Sequence, residues 1–226
     1  MGTAGRQAYS TLRAAILDGV WRPGERLAPG ALGARLGTST TVIREALTRL
    51  TAEDLVTLRP QRGFAVRDLD VQELHDLTEL RCLTEAYAAR LSLERGDVAW
   101  ESSVMAAYHR LTRTPRRDPE GPAVTTAAWQ EAHRAFHEAL LSACGCEPVL
   151  RQASQLGRTT ELYRRWASAS PAASQRDVEG EHRGLLEAAL AHDVEAMAAR
   201  LRHHYEATAE MVLDSGVALA STGRWA

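Results

Sequence analysis

The fold of the amino-terminal part of the chain is indicated by residues 38–50, which read TSTTVIREALTRL. The hydroxyl side chains at the start of this stretch predict an N-cap, and the apolar residues behind them recur at helical spacing. A shorter helix over residues 32–36 precedes it and stops at Gly37. Two helices joined by such a tight turn are typical of proteins that read the DNA major groove.

The flanking sequence adds a first helix and a wing to this pair. The apolar stripe of the first helix consists of Tyr9, Leu12, Ile16 and Leu17, and a turn at Pro23-Gly24 follows. Residues 56–58 and 64–66 are short apolar runs that flank the arginine-rich segment 59–63, which predicts a β-hairpin. Helix, helix, helix and hairpin in this order predict a winged helix-turn-helix.

The candidate DNA contacts lie at the start of the third helix, at the end of the second and in the wing. Short hydroxyls allow close approach to phosphates, and Arg44 can donate two hydrogen bonds to guanine. The predicted DNA-binding residues are Arg35, Ser39, Thr40, Thr41, Arg44, Arg49, Arg62 and Gly63. The alternative is that these arginines only cover a surface helix.

Charge is distributed unevenly along the chain. All 27 basic residues are arginine, and with 29 acidic residues the formal net charge is -2, which excludes a uniformly basic packaging protein. Residues 1–67 carry 10 Arg against 5 acidic residues, whereas the remainder carries 17 Arg against 24. A basic unit joined to an acidic one is expected when only the first binds a polyanion.

Sequence composition also indicates the cellular compartment and the domain organisation. No apolar run is long enough to span a membrane, and the start of the chain lacks a signal-peptide pattern. Three unpaired cysteines exclude a disulfide scaffold, so a cytoplasmic protein is expected. We predict a DNA-binding domain over 1–67, a linker over 68–70, a helical effector-binding and dimerisation domain over 71–216, and a loose tail over 217–226.

Beyond the linker the sequence pattern is helical throughout. The predicted helices are 71–95, 98–113, 124–144, 147–168, 174–191 and 193–214, with a loop from Pro115 to Pro122. The fold class is therefore mainly α, with an amino-terminal winged helix-turn-helix and a carboxy-terminal all-helical bundle.

Four of the eight histidines lie on the apolar stripes of three predicted helices: His133, His137, His182 and His204. The other four fall on polar faces or helix ends. Four inward imidazoles need a compensating partner, and a divalent metal ion could serve all of them. The alternative is that each imidazole is hydrogen-bonded separately within the core.

Arg81 also falls on an apolar stripe, in the first helix of the bundle. An inward guanidinium needs an anion, which is either a ligand carboxylate or Glu85 one turn further on. Both possibilities stay open at this point.

The amino-terminal motifs resemble the winged helix of GntR-type bacterial repressors. The resemblance rests on Arg44-Glu45-Ala46-Leu47, on residues 53–56 and on Arg62-Gly63 of the wing. The family usually shows Ser-Arg-x-Pro before its Val-Arg-Glu-Ala-Leu run, whereas this chain has Thr40 and Val42 at the Arg and Pro positions. Because a basic contact is missing at Thr40, the operator sequence of relatives cannot be transferred.

The helical part resembles FCD, the effector domain of the FadR branch of this family. Residues 77–85, 136–140, 181–183, Asp193 and 204–205 carry this resemblance. It implies a metal ion held by an Asp and three His, and a small carboxylate effector that contacts an Arg. Residue by residue, the resemblance assigns the metal to His137, His182 and His204, and the effector to Arg81.

The chain departs from the FCD pattern at two positions. His133 stands where the family has its Asp, and an all-nitrogen site with His133, His137, His182 and His204 favours zinc or nickel over manganese. Cys146 stands where relatives often carry Asn, and the resemblance assigns an effector contact to this position, with a thiol in place of the amide.

Together these features predict a homodimeric transcriptional regulator, most often a repressor in this family, and no enzyme. It would bind an inverted-repeat operator in double-stranded DNA, a divalent transition metal and a small organic acid. An alternative is a DNA-binding regulator whose histidine cluster is purely structural and takes no effector. A metal-dependent hydrolase is disfavoured because the chain has no HExxH motif and Glu138 points off the ligand face.

Overall fold

The computed structural model describes residues 3–68, 70–118 and 124–216, in which it has ten α-helices, three β-strands and one short 3-10 turn. The helices are α1 (Thr3–Leu17), α2 (Pro29–Leu36), α3 (Thr40–Ala52), α4 (Val71–Arg95), α5 (Val98–Arg113), α6 (Ala127–Leu141), α7 (Glu147–Ala167), α8 (Pro171–Gln175), α9 (Val178–Leu190) and α10 (Val194–Leu213). The strands are β1 (Arg26–Leu27), β2 (Val56–Arg59) and β3 (Gly63–Val66). The prediction of a mainly α protein with a winged unit is confirmed.

These elements form two compact units, one ending at Glu73 and the other beginning at Leu74, in the first turn of α4. Leu69 of the predicted linker, residues 119–122 of the predicted loop and the predicted tail 217–226 lie outside the described residues. No helix in the described part of the chain is long and apolar enough to cross a membrane.

The turn between α2 and α3 forms as the sequence predicts. Gly37 ends α2 in the left-handed conformation with φ of 61°, which costs glycine little because it has no Cβ. Ser39 begins α3 as its N-cap, and its hydroxyl accepts a hydrogen bond from the backbone N–H of Val42 at 3.3 Å. The apolar face of α3 packs on α1 and α2 through Ile43 and Leu47, which are both fully buried.

The wing is a three-stranded antiparallel sheet in the order β1-β3-β2. The predicted hairpin is present, with Val56 opposite Val66 and Arg59 opposite Gly63. A strand not predicted from the sequence, β1, pairs with the outer edge of β3. Two residues are too few for the alternating pattern that identifies a strand, so only pairing with β3 defines β1.

Two helix predictions in the bundle need correction. The predicted helix 174–191 is two helices, α8 and α9, because Asp177 caps α9 by accepting a hydrogen bond from the N–H of Gly180 at 2.9 Å. The predicted helix 124–144 begins later, at Ala127, because Thr126 is its N-cap, and its last residues form a 3-10 turn over Ser142–Cys144. In both cases a side-chain oxygen satisfies the free N–H groups of the first helical turn.

The core of the bundle is built by the inward faces of α4 to α7, α9 and α10. Phe136, Leu140, Leu185 and Leu201 are among its fully buried residues. The histidine-bearing faces of α6, α9 and α10 therefore look into a closed apolar interior, where any polar group needs a partner.

Candidate functional site

Helix α6 carries two histidines on its buried face. His133 and His137 are one turn apart, and their ring centroids lie 4.6 Å from each other. This spacing follows from the helix, since residues i and i+4 are neighbours on one face. Trp129 and Phe136 complete the apolar surroundings of this pair.

Helices α9 and α10 each add one more imidazole to the pair. The ring of His182 lies 4.9 Å from His133 and 4.9 Å from His204, and His204 lies 5.0 Å from His137. One nitrogen from each ring can be chosen so that all four atoms lie within 4.8 Å of one another. All four residues are at most 5% exposed. The structure thus places the four predicted histidines in one buried cluster.

Burial keeps these imidazoles neutral. Desolvation lowers the pKa of His133, His137 and His204 well below the ordinary value of 6.5, and it lowers the pKa of His182 to about 3. Neighbouring guanidinium groups and the other rings act in the same direction. Neutral imidazoles retain a lone pair, which is the form that binds metal ions.

Partners on the outer side of the cluster orient two of the rings. The carboxylate of Glu181 lies 2.6 Å from Nδ1 of His204, and because a carboxylate only accepts, the ring proton belongs on Nδ1. The hydroxyl of Tyr205 donates to Glu85 and lies 3.2 Å from Nδ1 of His137, so its oxygen accepts there. Both contacts leave the Nε2 lone pair of the ring free.

The cluster fits a metal ion by the chemistry of its donors. The Nε2 atoms of His137 and His182 are buried and have no hydrogen-bond partner among the described residues. Unsatisfied polar atoms at such depth are rare, and a bound ion would satisfy both. Four nitrogen donors match the ligand preferences of zinc, nickel or cobalt.

A cavity of about 320 Å³ opens beside the cluster and lies between α6 and α7. His133 and His137 line it on the α6 side, and Arg81 reaches it from α4. Arg81 is buried and pairs with Glu85 at 2.6 Å, while its Nη1 donates to Thr160 at 2.9 Å. Of the two anions considered for Arg81 from the sequence, the internal one is thus present.

Cys146 does not reach this cavity. It precedes α7 and packs, half-buried, against the hydrophobic core, and it is absent from the described residues that line the cavity. The effector contact predicted for Cys146 therefore lies outside the described lining of this cavity. The four histidines predicted to be solvated are exposed: His75, His109, His192 and His203.

Two residues at this site, Glu181 and Arg164, were assigned no role from the sequence. Glu181 is adjacent to His182 and could have been suspected as a carboxylate partner. Arg164 lines the cavity, where burial lowers its pKa to about 10 and its Nη2 donates to Oε1 of Gln130 at 2.6 Å. Nothing local distinguishes Arg164 from its neighbour Arg165, because only the packing of α7 decides which one faces the cavity.

The predicted DNA-reading residues occupy an exposed surface of the winged unit. Ser39, Thr40, Thr41 and Arg44 are all exposed along the first turns of α3. Arg62 is exposed at the tip of the wing, and Gly63 follows it with φ of 78°. This arrangement leaves the amino-terminal end of α3 available to base edges.

Two arginines of the predicted DNA-binding set contact aromatic rings. The guanidinium of Arg49 lies over Tyr9 of α1, 4.1 Å from the ring centroid. Arg35 lies 5.9 Å from the ring centroid of Trp21. Arg49 is exposed like the side chains at the start of α3, but its guanidinium stacks on α1.

Comparisons with known proteins agree with both units. Residues 4–66 match bacterial regulatory proteins of the gntR family, and residues 76–207 match the FCD domain. The chain is 37% identical over 209 residues to the uncharacterized HTH-type transcriptional regulator BphR of Paraburkholderia xenovorans, covering 92% of this chain and 85% of that protein. It is 31% identical over 199 residues to the HTH-type transcriptional repressor GlaR of Escherichia coli, covering 87% and 90% of the two chains.

A solved structure shares the fold. E. coli McbR/YncC matches with a TM-score of 0.70 at 21% identity, over 95% of this chain and 99% of that one. The family and these relatives are transcriptional regulators, not enzymes. The chain belongs to the GntR family of bacterial DNA-binding transcriptional regulators and carries an FCD domain.

Proposed function

We propose that this regulator is a metal-dependent sensor of a small organic acid. In this proposal His133, His137, His182 and His204 bind a divalent transition metal, zinc or nickel, in the FCD domain. The carboxylate effector binds beside the metal in the adjoining cavity. The winged helices of a homodimer bind an inverted-repeat operator and repress transcription until the effector binds.

The observation that carries the metal proposal is the pair of unpartnered Nε2 atoms inside a cluster of four neutral imidazoles. Four separately satisfied core histidines would not leave His137 and His182 without partners on their inner side. Glu181 supports the same role, since ligating histidines commonly donate their other N–H to a carboxylate. When bound, the metal would offer a coordination position to a carboxylate oxygen.

The regulatory step requires the effector to distinguish two states of the dimer. A ligand shifts an equilibrium only by its difference in affinity for the two states. Coupling free energies between sites are typically about 1–3 kcal/mol, which corresponds to about 5- to 150-fold in operator affinity. The repressor role is supported by the description of GlaR as a repressor.

The experiment combines metal analysis with effector and operator binding on the full chain. We expect the purified protein to contain about one zinc or nickel ion per chain. A chelator should lower its thermal unfolding temperature, and one carboxylate of a panel of mono- and dicarboxylates should raise it only in the metal-loaded protein. The same carboxylate should weaken operator binding in a gel-shift titration.

The outcomes separate the alternatives. A protein that takes up no transition metal and does not respond to chelator overturns the metal proposal. A protein that binds metal but responds to no carboxylate is instead a regulator with a purely structural histidine cluster.

A further inference from the structure

The charged residues that line the cavity are unevenly distributed along its two long walls. On α7, Leu150 and Ala153 lie at one end and Arg164 at the other, about 21 Å apart along the helix axis for 14 residues. On α6, His133 and His137 lie at the polar end and Leu141 at the apolar end. Because both helices show the same gradient, one end of the cavity is lined by Leu141, Leu150 and Ala153 with the uncharged side chains of Ser142 and Ser154, and the other end by the histidines and Arg164.

The charges around the cavity are almost completely paired. Arg81 pairs with Glu85 at 2.6 Å, and Glu161 lies 3.8 Å from Arg165. Arg134 and Glu138 lie 3.9 Å apart at the solvent-exposed mouth. These pairs account for every cavity-lining carboxylate among the described residues.

Arg164 is the exception in this set. Its Nη2 donates to the neutral amide oxygen of Gln130, its Nε is buried without a partner, and no carboxylate of the described residues lies within 4.0 Å of it. A guanidinium with a free donor in such a position is a ready partner for an incoming carboxylate, which accepts charge-assisted hydrogen bonds.

Gly157 provides space for a ligand in the middle of α7. Glycine is unfavourable in a helix interior, and a Cβ built here would contact only Arg81, with Nη2 at 3.8 Å. The missing side chain widens the middle of the cavity, so a molecule bound at Arg164 can extend from there toward Leu141 and Ala153.

From these observations we infer that the effector is an amphipathic monocarboxylate, and that Arg164 rather than Arg81 binds its carboxylate. The apolar part of the acid points toward the end lined by Leu141, Leu150 and Ala153. This inference rests on the proposed sensor function and specifies its ligand class. Small dicarboxylates are excluded, because Arg81 and Arg134, the other arginines that line the cavity, are already paired with carboxylates and would leave the second charge without a cationic side chain.

The experiment measures binding of two probe acids to the zinc-loaded full chain by calorimetry. We expect 3-phenylpropanoate to bind at least about tenfold more tightly than succinate, and the neutral 3-phenylpropanamide to bind at least about tenfold more weakly than the acid. Arg164→Gln should weaken 3-phenylpropanoate binding by about tenfold or more. The matched control Arg134→Gln changes a paired, solvent-exposed arginine of the same cavity and should leave the affinity within about threefold.

Two further variants test the site and show whether a loss of affinity arises from loss of the fold. Gly157→Val fills the cavity while favouring the helix, so it should retain zinc and thermal stability but lose about tenfold in 3-phenylpropanoate affinity. Replacing the internal ion pair by the double variant Arg81→Gln with Glu85→Gln keeps the cavity charge unchanged. If this double variant loses more affinity than Arg164→Gln, the assignment to Arg164 is wrong.

The zinc content of each sample separates failure of this inference from failure of the proposed function. If zinc is retained and succinate binds as tightly as 3-phenylpropanoate, the amphipathic ligand class is overturned and the metal proposal stands. If zinc is absent, the metal proposal fails. The inference about Arg164 then still requires that Arg164→Gln weakens binding of 3-phenylpropanoate to the metal-free protein. If zinc is retained and neither acid binds, the amphipathic ligand class and the role of Arg164 are overturned, and the metal proposal stands.

Discussion

At the scale of single residues, the contact between Glu181 and His204 determines which ring nitrogen can serve as a ligand. The carboxylate holds the proton on Nδ1 at 2.6 Å, and it also pairs with Arg176. Without this acceptor the ring could turn or take the other tautomer, and its Nε2 would no longer be fixed as a donor.

We therefore expect Glu181→Gln to lower zinc affinity by about 10- to 100-fold, because the amide binds the imidazole N–H less strongly. The measurement is a competition titration against a chromogenic chelator. Glu179→Gln is the matched control, since Glu179 is exposed in the first turn of the same helix and should leave the affinity unchanged. Equal affinities of the wild type and Glu181→Gln would contradict the assigned role.

The buried imidazoles also make stability depend on pH. Their pKa values are lowered by desolvation in the folded chain, for His182 to about 3 from an ordinary value of 6.5. Between these two values the unfolded chain binds more protons than the folded chain, so the free energy of unfolding falls as the pH decreases. The stability they contribute is complete above about pH 6.5 and is lost progressively below it.

For the metal-free protein we expect a loss of up to about 1.4 kcal/mol per pH unit for each imidazole below about pH 6.5. Urea denaturation at about pH 7.5 and about pH 5.5 in the presence of a chelator measures it. The variant His182→Gln should show a shallower dependence, because one titrating group is removed. A free energy of unfolding that is the same at both pH values would rule out buried neutral imidazoles.

At the scale of elements, α3 depends on its N-cap. The Ser39 hydroxyl accepts a hydrogen bond from one of the four free N–H groups of the first turn. We therefore expect Ser39→Ala to lower the free energy of unfolding by about 1 kcal/mol. Amide hydrogen exchange in α3 should become about fivefold faster, provided that these amides exchange through opening of the helix. Thr41→Ala, at an exposed position of the same turn that does not cap the helix, should leave exchange nearly unchanged.

The exposed face of α3 should carry sequence recognition. Arg44 is exposed there, with its guanidinium 5.8 Å from the ring centroid of Phe64 in the wing. Each bidentate contact with guanine is worth about 1–3 kcal/mol, and a dimer would lose two of them in Arg44→Ala. We expect this variant to lose specific binding to an operator selected from random-sequence DNA, as measured by gel shift.

Arg90→Ala is the control for that experiment. Arg90 is partly exposed on α4 and pairs with Glu94, so its loss should leave operator affinity unchanged. Retained operator affinity in Arg44→Ala would show that α3 is not the recognition helix.

At the scale of the whole molecule, the excess of basic over acidic residues is confined to the winged part, where residues 1–67 carry 10 Arg against 5 acidic residues, and the rest of the chain is acidic. A dimer that neutralises about eight phosphates should lose about a thousandfold or more in affinity between about 50 and 200 mM salt. Arg62→Ala should reduce the slope of log affinity against log salt by about two, one phosphate contact per protomer. An unchanged slope would show that the wing tip does not contact the DNA backbone.

The sequence by itself was sufficient to predict the features that depend on neighbouring residues. Caps, turns and apolar stripes are local, so the helix pair around Gly37 and Ser39, the hairpin and most of the bundle helices could be predicted. The same periodicity assigned four histidines to inward faces, because a helical face is defined by spacing along one chain segment.

Only the tertiary structure shows which residues those helix faces contact. The contact of Glu181 with His204, the pairing of β1 with β3 and the absence, among the described residues, of a carboxylate within 4.0 Å of Arg164 all depend on residues far apart in sequence. Such relations arise when helices pack, and packing is set by the joint fit of many side chains rather than by any one segment. For this reason the positions of the imidazoles could be predicted from the sequence, whereas the polarity of the cavity beside them could not.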